Sequence, residues 1–583
     1  ELCRRLDGLP LAIELVAARV KLLPPAELLA RLHGPWMLSM DGLRDVSPRQ
    51  KTLRSAIGWS YGLLTPTEQT LFTRLAVFVG GCTLEAAELL CGADAALSPS
   101  LSFSLSPPQV LDGIASLLDK SLLNLESGQH GESRYVMLET VREYASERLV
   151  AVGKAEETQN RHLTWCLTIA ASAVPSLFGI LERVSWKQIG AEIHNLRAGL
   201  EWALQRNGAA ALRLVLATSR YLANRGFVRE ARAWIGRVLN LPEAAEATLE
   251  RAALLYCKGT AEFLADEITA AEASISESLA LSRDLNLVSG QAGAHYYLGR
   301  LASMAGDTSR AEMHLEAATS SFLEAGDVID WGHVISVLAE IAMFRGDLRR
   351  SRALHTQAVT RDLPPEQRHQ VFWSVGGLAE VDLVEGDFAS AQRLAEECLA
   401  LCRQRDNPGE IAWPLTCLGE IAIRCRDFTA AHAYLDAALS LGRTADSYWR
   451  VAIVRADLGD LAVAEGRPSE ALRLYQDSLP ILLQRGIFAL PQGSLRLACL
   501  ASAVGQHEVA ATLLGACSIA VENGLEVLFP ITQADFDGTL TAAKVALDAD
   551  AFEAAWVIGR ALRPQAAIAW GLRCRQPSVQ GAK

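Results

Sequence analysis

A small loop residue returns at a fixed interval through the second half of the sequence: Gly226, Asp266, Gly306, Gly346, Gly386, Arg426, Gly466 and Gly505. The interval is the same at every step except the last, which is one residue shorter. At Gly306, Gly346, Gly386 and Arg426 the next residue is Asp, and five residues past each marker stands Ala231, Ala271, Ala311, Ser351, Ala391, Ala431, Ala471 or Ala510. An apolar pattern precedes the marker, as in Leu298-Gly-Arg-Leu301-Ala302 and Leu418-Gly-Glu-Ile421-Ala422. Self-similarity at a fixed period is the mark of stacked supersecondary units. The spacing predicts a mainly α fold, an α-solenoid of about eight helical hairpins over 206–540. In each, a glycine with positive φ turns helix A into helix B, and a small residue lets the two approach. Arg426 lacks that conformational freedom and is expected to be mildly strained. A large side chain at the alanine position should open the pair.

At 583 residues the chain is too long for one core. Its net charge of −12 argues against a general affinity for nucleic acid or anionic membrane. No apolar run reaches the length of a membrane span, and no signal peptide opens the sequence, so a cytoplasmic location is expected. The twelve cysteines fall mostly at apolar helix positions, as expected of reduced thiols. Cys398, Cys402, Cys417 and Cys425 are near one another in sequence, but no CxxC pair supports a metal set.

Ahead of the repeats the pattern changes. Residues 1–46 read as helices broken at Gly8-Leu9-Pro10 and Pro24-Pro25. Residues 47–155 fit a winged helix. Thr65-Pro66-Thr67-Glu68 is a capping box, Thr83 caps a short helix ending at Gly92, and 93–109 is a Ser/Pro-rich insertion expected to be mobile. Val110–Leu118 is expected to be helical. Strands are expected at Ser121–Leu125 and Arg134–Leu138, and a helix at Glu139–Val152. Residues 156–205 are expected to form a connector of two helices, with His194 on a helix surface, and 541–583 a helical tail. Residues 83–150 hold ten Asp/Glu against four Lys/Arg, a poor balance for a DNA reader.

The stretch Cys3-Arg-Arg-Leu-Asp-Gly-Leu-Pro-Leu-Ala-Ile-Glu-Leu-Val-Ala-Ala-Arg-Val20 resembles the GLPLA region of STAND-type (NB-ARC-like) signalling ATPases. It is closest to bacterial LuxR-family or large ATP-binding transcriptional regulators. The resemblance implies that 1–46 ends the helical domain behind a nucleotide-binding domain and that Pro10 contacts the nucleotide. It implies a winged helix that folds back on that domain to hold an ADP-bound off state. Met137-Leu138-Glu139 falls where the family has Met-His-Asp. Glu139 takes the last position, and Leu138 replaces the histidine that would contact phosphate. The repeats, at about 40 residues, exceed the roughly 34 residues usual for a tetratricopeptide repeat. They resemble the lengthened repeats of a sugar-responsive activator in the same broad family. The chain opens in mid-helix without Met and is expected to be part of a longer protein. ATP or ADP would bind upstream of it, and DNA would be read by a module it lacks.

No catalytic constellation is visible. There is no Gly-x-x-x-x-Gly-Lys-[Ser/Thr] loop, HExxH or GxSxG, so the chain alone is expected to be no enzyme and to hold no cofactor. Binding is the better expectation. Glu340, Glu380, Glu420 and Asp460 recur at the repeat interval, and Trp373 and Trp413 are equivalent to each other. If helix A lines the inner face, they form a carboxylate row edged by indoles, suited to a basic peptide, a polyol or an oligosaccharide. Alternatively the glutamates are a repeat consensus on a solvated face and the indoles pack between repeats. The expected function is a sensor and switch, with an inducer or protein partner on the repeats and the winged helix controlling an upstream nucleotide domain. A plain adaptor for protein–protein contact, or the regulatory region of a cyclase or kinase, are the alternatives.

Overall fold

The computed structural model describes residues 53–92, 104–128, 131–171, 177–180, 185–225, 227–265, 267–361, 371–405, 408–444, 448–484, 490–522 and 530–573. Residues 1–46, with Pro10, and the markers Gly226 and Asp266 lie outside these. The chain divides into two compact units, Glu1–Leu177 with Glu182–Glu267, and Phe178–Leu181 with Ile268–Lys583.

The first unit opens with α1 (Leu53–Gly62), α2 (Pro66–Leu75), α3 (Leu84–Cys91), α4 (Pro107–Asp119), the hairpin β1 (Asn124–Ser127) and β2 (Ser133–Val136), and α5 (Glu139–Ala151). Thr65 and Glu68 cap α2 reciprocally, the Thr65 N–H reaching Glu68 Oε2 at 2.6 Å. Thr83 caps α3 through the Ala86 N–H. The hairpin is antiparallel, Asn124 opposite Val136. The isolated bridge Cys82–Tyr135 adds a third short strand position. Gly81 sits there at φ +71°, where a Cβ would lie 2.8 Å from the Tyr135 carbonyl oxygen.

Three boundaries differ from the sequence expectation. The first strand is shifted toward the turn, Asn124–Ser127 instead of Ser121–Leu125, because Ser121 takes φ 54° just after α4, and the second ends at Val136 instead of Leu138, because Leu138 already serves as N-cap of α5. Helix α4 begins at Pro107, three residues inside the expected 93–109 insertion, because Gln109 accepts the Ser106 N–H at 2.8 Å in a second capping box. The connector contains three helices, α6 (Ala155–Ala171), α7 (Ser185–Ala191) and α8 (Ile193–Arg206).

The connector is built into the winged helix. Trp165 and His162 of α6 pack edge-on against Phe78, and Arg161 donates to the Leu90 and Gly92 carbonyls. Glu192, ahead of α8, forms a buried pair with Arg134 of the wing at 2.6 Å. Asn195 donates to Glu192 and the Gly81 carbonyl and accepts from the Val79 N–H. Arg134, Glu192 and Asn195 thus gain partners from one another and from the backbone, as their burial requires. His194 is exposed between these residues. The unit continues through α9 (Gly208–Asn224), α10 (Val228–Leu239) and α11 (Leu249–Leu264).

The second unit starts with α12 (Ile268–Asp284) and then stacks hairpins. These are α13 (Val288–Met304) with α14 (Thr308–Glu324), α15 (Val328–Phe344) with α16 (Leu348–Val359), and α17 (Phe372–Glu385) with α18 (Phe388–Arg405). The next are α19 (Pro408–Arg424) with α20 (Phe428–Thr444), α21 (Tyr448–Ala464) with α22 (Pro468–Gln484), and α23 (Leu490–Ala503) with α24 (His507–Glu522). Three more helices follow: α25 (Pro530–Ala546), which runs across the 540/541 position, α26 (Ala549–Ala561) and α27 (Pro564–Gly571).

The Gly-Asp pair does two jobs at each turn. Gly306, Gly346, Gly386, Gly466 and Gly505 have φ between 74° and 87°. The next N–H bonds back to a carbonyl five residues earlier, Asp307 to Ala302 and Asp347 to Ala342 among them, which closes helix A as a Schellman motif does. The Asp side chain then caps helix B: Asp307, Asp347, Asp387 and Asp427 accept from the third residue onward. Arg426 holds the same left-handed geometry at φ 60°. The small residues five past the markers, from Ala231 to Ala510 and including Ser351, are all fully buried.

Candidate ligand trough on the repeats

Successive A helices touch one another from α15 to α23, whereas successive B helices of those hairpins make no comparable contact. The tighter-packed row is the inside of a curve, so the A helices line the concave face. Helix periodicity then sends residues three and four apart to that face together.

An aromatic ladder climbs it. Arg300 donates to the Tyr296 hydroxyl at 3.0 Å, and that hydroxyl lies 3.1 Å from His333 Nε2. His333 meets Trp373 at 5.4 Å between ring centroids with the planes tilted by 58°, and Trp373 meets Trp413 at 5.1 Å with 32° between planes. Trp413 lies flat on α17 because Gly376 has no side chain: a Cβ there would fall 2.3 Å from the indole. Both indoles remain half-buried.

The carboxylates run beside the ladder. Glu380 accepts the Trp413 indole N–H at 2.8 Å. Among the described residues no hydrogen-bond donor reaches Glu340 or Glu420. Burial pushes the Glu380 carboxyl up from 4.5 to about 7, opposed by the indole hydrogen bond and reinforced by the charges of Glu340 and Glu420. Burial also raises Glu340, opposed by Arg300, and raises Glu420, opposed by Arg424 and Arg496. Glu340 is exposed and the other two are half-buried. Crowding in a trough, rather than full enclosure, therefore sets these rises.

The last member of the row is different. Asp460 pairs with Arg496 Nε at 3.0 Å and accepts the Tyr475 hydroxyl at 2.6 Å. Buried Asp457 takes the other side of the same guanidinium at 2.6 Å. The row is thus paired with a cation at its Asp460 end, while Glu380 and Glu420 make no ion pair among the described residues. Trp373 and Trp413 each pack on a neighbouring repeat and stay partly exposed. Continuing the repeat register one step back reaches Arg300 and His333, a signal the glutamate row alone did not reveal. Asp457 and Arg496 carry no repeat signal.

Elsewhere, Glu139 stands at the first turn of α5 in a bidentate pair with Arg142, 2.7 and 3.0 Å. The other cations of 83–150 are also engaged: Lys120 with Glu68 at 3.0 Å, Arg134 with Glu192, and Arg148 with the Tyr144 hydroxyl at 3.0 Å. Cys398 and Cys402 lie 4.0 Å apart in the core beside Phe372, while Cys425 is exposed. Among the described residues no three potential ligands converge on a metal position, and no helix is long and apolar enough to cross a membrane.

Two stretches of the chain match known families. Residues 64–150 match the family model of a winged helix-turn-helix domain, and residues 410–484 match a tetratricopeptide repeat. A Mycobacterium tuberculosis protein named "Putative HTH-type transcriptional regulator" is 40% identical over 242 residues, 41% of this chain and 26% of the relative. An uncharacterized M. tuberculosis protein is 37% identical over 162 residues, 28% of this chain and 39% of the relative. The chain spans about a quarter of the length of the first of these. Among solved structures, a STAND protein with a tetratricopeptide repeat sensor from Pyrococcus horikoshii is similar over 94% of this chain and 71% of its own, at 13% identity and a TM-score of 0.34. A Rap protein complexed with competence and sporulation factor aligns over 62% of this chain and 99% of its own, at 15% identity and a TM-score of 0.41. The chain carries a winged helix-turn-helix domain followed by tetratricopeptide-like repeats, and over part of its length it is related to a mycobacterial protein named as a transcriptional regulator.

Proposed function

We propose that this chain is the sensing and switching portion of a bacterial STAND-type regulator of transcription, of the LuxR-like, large ATP-binding kind. An inducer or protein partner binds the concave face of the repeats. The winged helix answers to an upstream nucleotide-binding domain that takes ATP or ADP, and DNA is read by another module. The observation that carries the sensor reading is the trough itself, where two partly exposed indoles meet at 5.1 Å beside Glu380 and Glu420, carboxylates that make no ion pair among the described residues. A binding event acts as a switch only if it favours one conformation over another.

The winged helix supports a protein-facing rather than a DNA-facing role. All four cations of 83–150 are engaged by partners within the first unit, leaving few to neutralise phosphates, the main source of affinity for DNA. Two measurements test the reading. Fluorescence anisotropy of the purified chain with a random 30-base-pair duplex at low salt should show no binding at micromolar protein. Its ATP turnover should equal the buffer blank. Salt-dependent DNA binding that Lys120→Ala weakens would reassign the winged helix, and robust turnover would place chemistry in this chain.

A further inference from the structure

One helix of the second unit has no place in the repeat scheme. Helix α25 packs against α23 and α24 and also against α17. Between α17 and α23 lie α19 and α21, so α25 bridges four A helices of the concave row. Its length suits that span. Seventeen residues at 1.5 Å each give about 25 Å, and three helix-to-helix steps of about 8–10 Å give about 24–30 Å.

Its attachments are few and lopsided. Phe536, Thr539 and Ala543 are its buried side chains among those described. Phe536 sits with the α23–α24 core and meets Trp556 of α26, and Ala543 packs with Ala511 and Ala555. Thr539 places its hydroxyl 3.4 Å from Cys499 Sγ on α23. Toward α17 the hold is polar: Asp535 pairs with Arg424 of α19 at 2.7 Å, both partly exposed. Arg424 lies one helical turn beyond Glu420, the spacing at which a carboxylate and a guanidinium can also pair along one helix. With α25 down, Asp535 holds the guanidinium and Glu420 keeps no hydrogen-bond donor. With α25 lifted, Arg424 is free to turn to Glu420. The two arrangements exchange one ion pair for another.

We propose that α25 is a strap that gates the concave trough, hinged at α23–α24 and released at its Asp535 end. This rests on the trough being the sensing surface, but strap opening is measurable with no ligand present, so the two ideas fail separately.

Hydrogen exchange of the full chain, followed by mass spectrometry, should find the first turns of α25, 530–535, exchanging at least tenfold faster than α24, as a sub-global opening would. Asp535→Asn should raise that rate a further several-fold and leave α24 and the melting temperature unchanged. A strap that exchanges in step with α23 and α24, or an Asp535→Asn variant that accelerates all three equally, would overturn the proposal and make α25 an ordinary end cap.

Discussion

Glu380→Gln isolates the electrostatic cost of the trough. Glutamine keeps an oxygen to accept the Trp413 indole N–H and occupies nearly the same volume, so the change removes charge and little else. The folded state holds the Glu380 carboxyl at about 7, against 4.5 for an unburied glutamate. At about 1.36 kcal/mol for each tenfold step, that rise corresponds to about 3 kcal/mol. Glu380 still touches solvent, so screening reduces the figure to about 1–2 kcal/mol. The sign follows from proton counting. Between pH 4.5 and about 7 the folded chain binds more protons at this site than the unfolded chain, so stability is full below 4.5 and falls as pH rises to about 7. The variant lacks that loss. Urea denaturation should find Glu380→Gln more stable than the parent by that same screened margin at pH 8 and equal to it near pH 4.5. A variant that is less stable at pH 8, or a difference that does not change with pH, would refute the view that an ionised Glu380 destabilises the folded chain. A cationic ligand should recover the same energy, and the variant should bind it more weakly.

Other perturbations reach the scaffold. Arg134→Ala leaves Glu192 buried without its cation and should cost about 3–5 kcal/mol in the first unit, read by urea melts followed at Trp165. Ala431→Leu overfills a fully buried contact between α19 and α20 and should cost about 1–3 kcal/mol, seen as a lower denaturation midpoint. Arg426→Gly should stabilise by about 0.5–1 kcal/mol, since a non-glycine residue costs about 1–2 kcal/mol in the left-handed region while glycine loses about 0.5–1 kcal/mol of chain entropy. Calorimetry that finds Arg426→Gly destabilising would point to a side-chain role for Arg426.

The repeats were legible because their signal is local. A glycine or aspartate at the turn and an alanine five residues on are demanded by one hairpin's geometry, and the sequence restates them in every repeat. The winged helix was legible in its caps, at Thr65 and Thr83. It was less so at its edges, where Ser121 in a left-handed conformation and the Ser106–Gln109 box moved boundaries by a few residues. The trough was half visible. Glu380 and Trp413 stood in register, but the indole–carboxylate bond depends on Gly376, whose role appears only when two repeats are stacked. The Asp457–Arg496–Asp460 cluster and the bridge made by α25 depend on long-range packing, which no periodicity encodes.

The lock formed by Arg134, Glu192 and Asn195 bears on where this chain can be cut. Similarity to the winged-helix family ends at residue 150, yet the groups that satisfy Arg134 and the carbonyls of Gly81, Leu90 and Gly92 come from 161–195. A gene fragment stopped at the family boundary would expose Phe78 and leave a buried guanidinium without its carboxylate. Any piece that is inherited, exchanged between proteins or expressed alone must therefore carry the chain past Asn195 as well. Swaps between relatives that join at 150 should yield insoluble chimaeras.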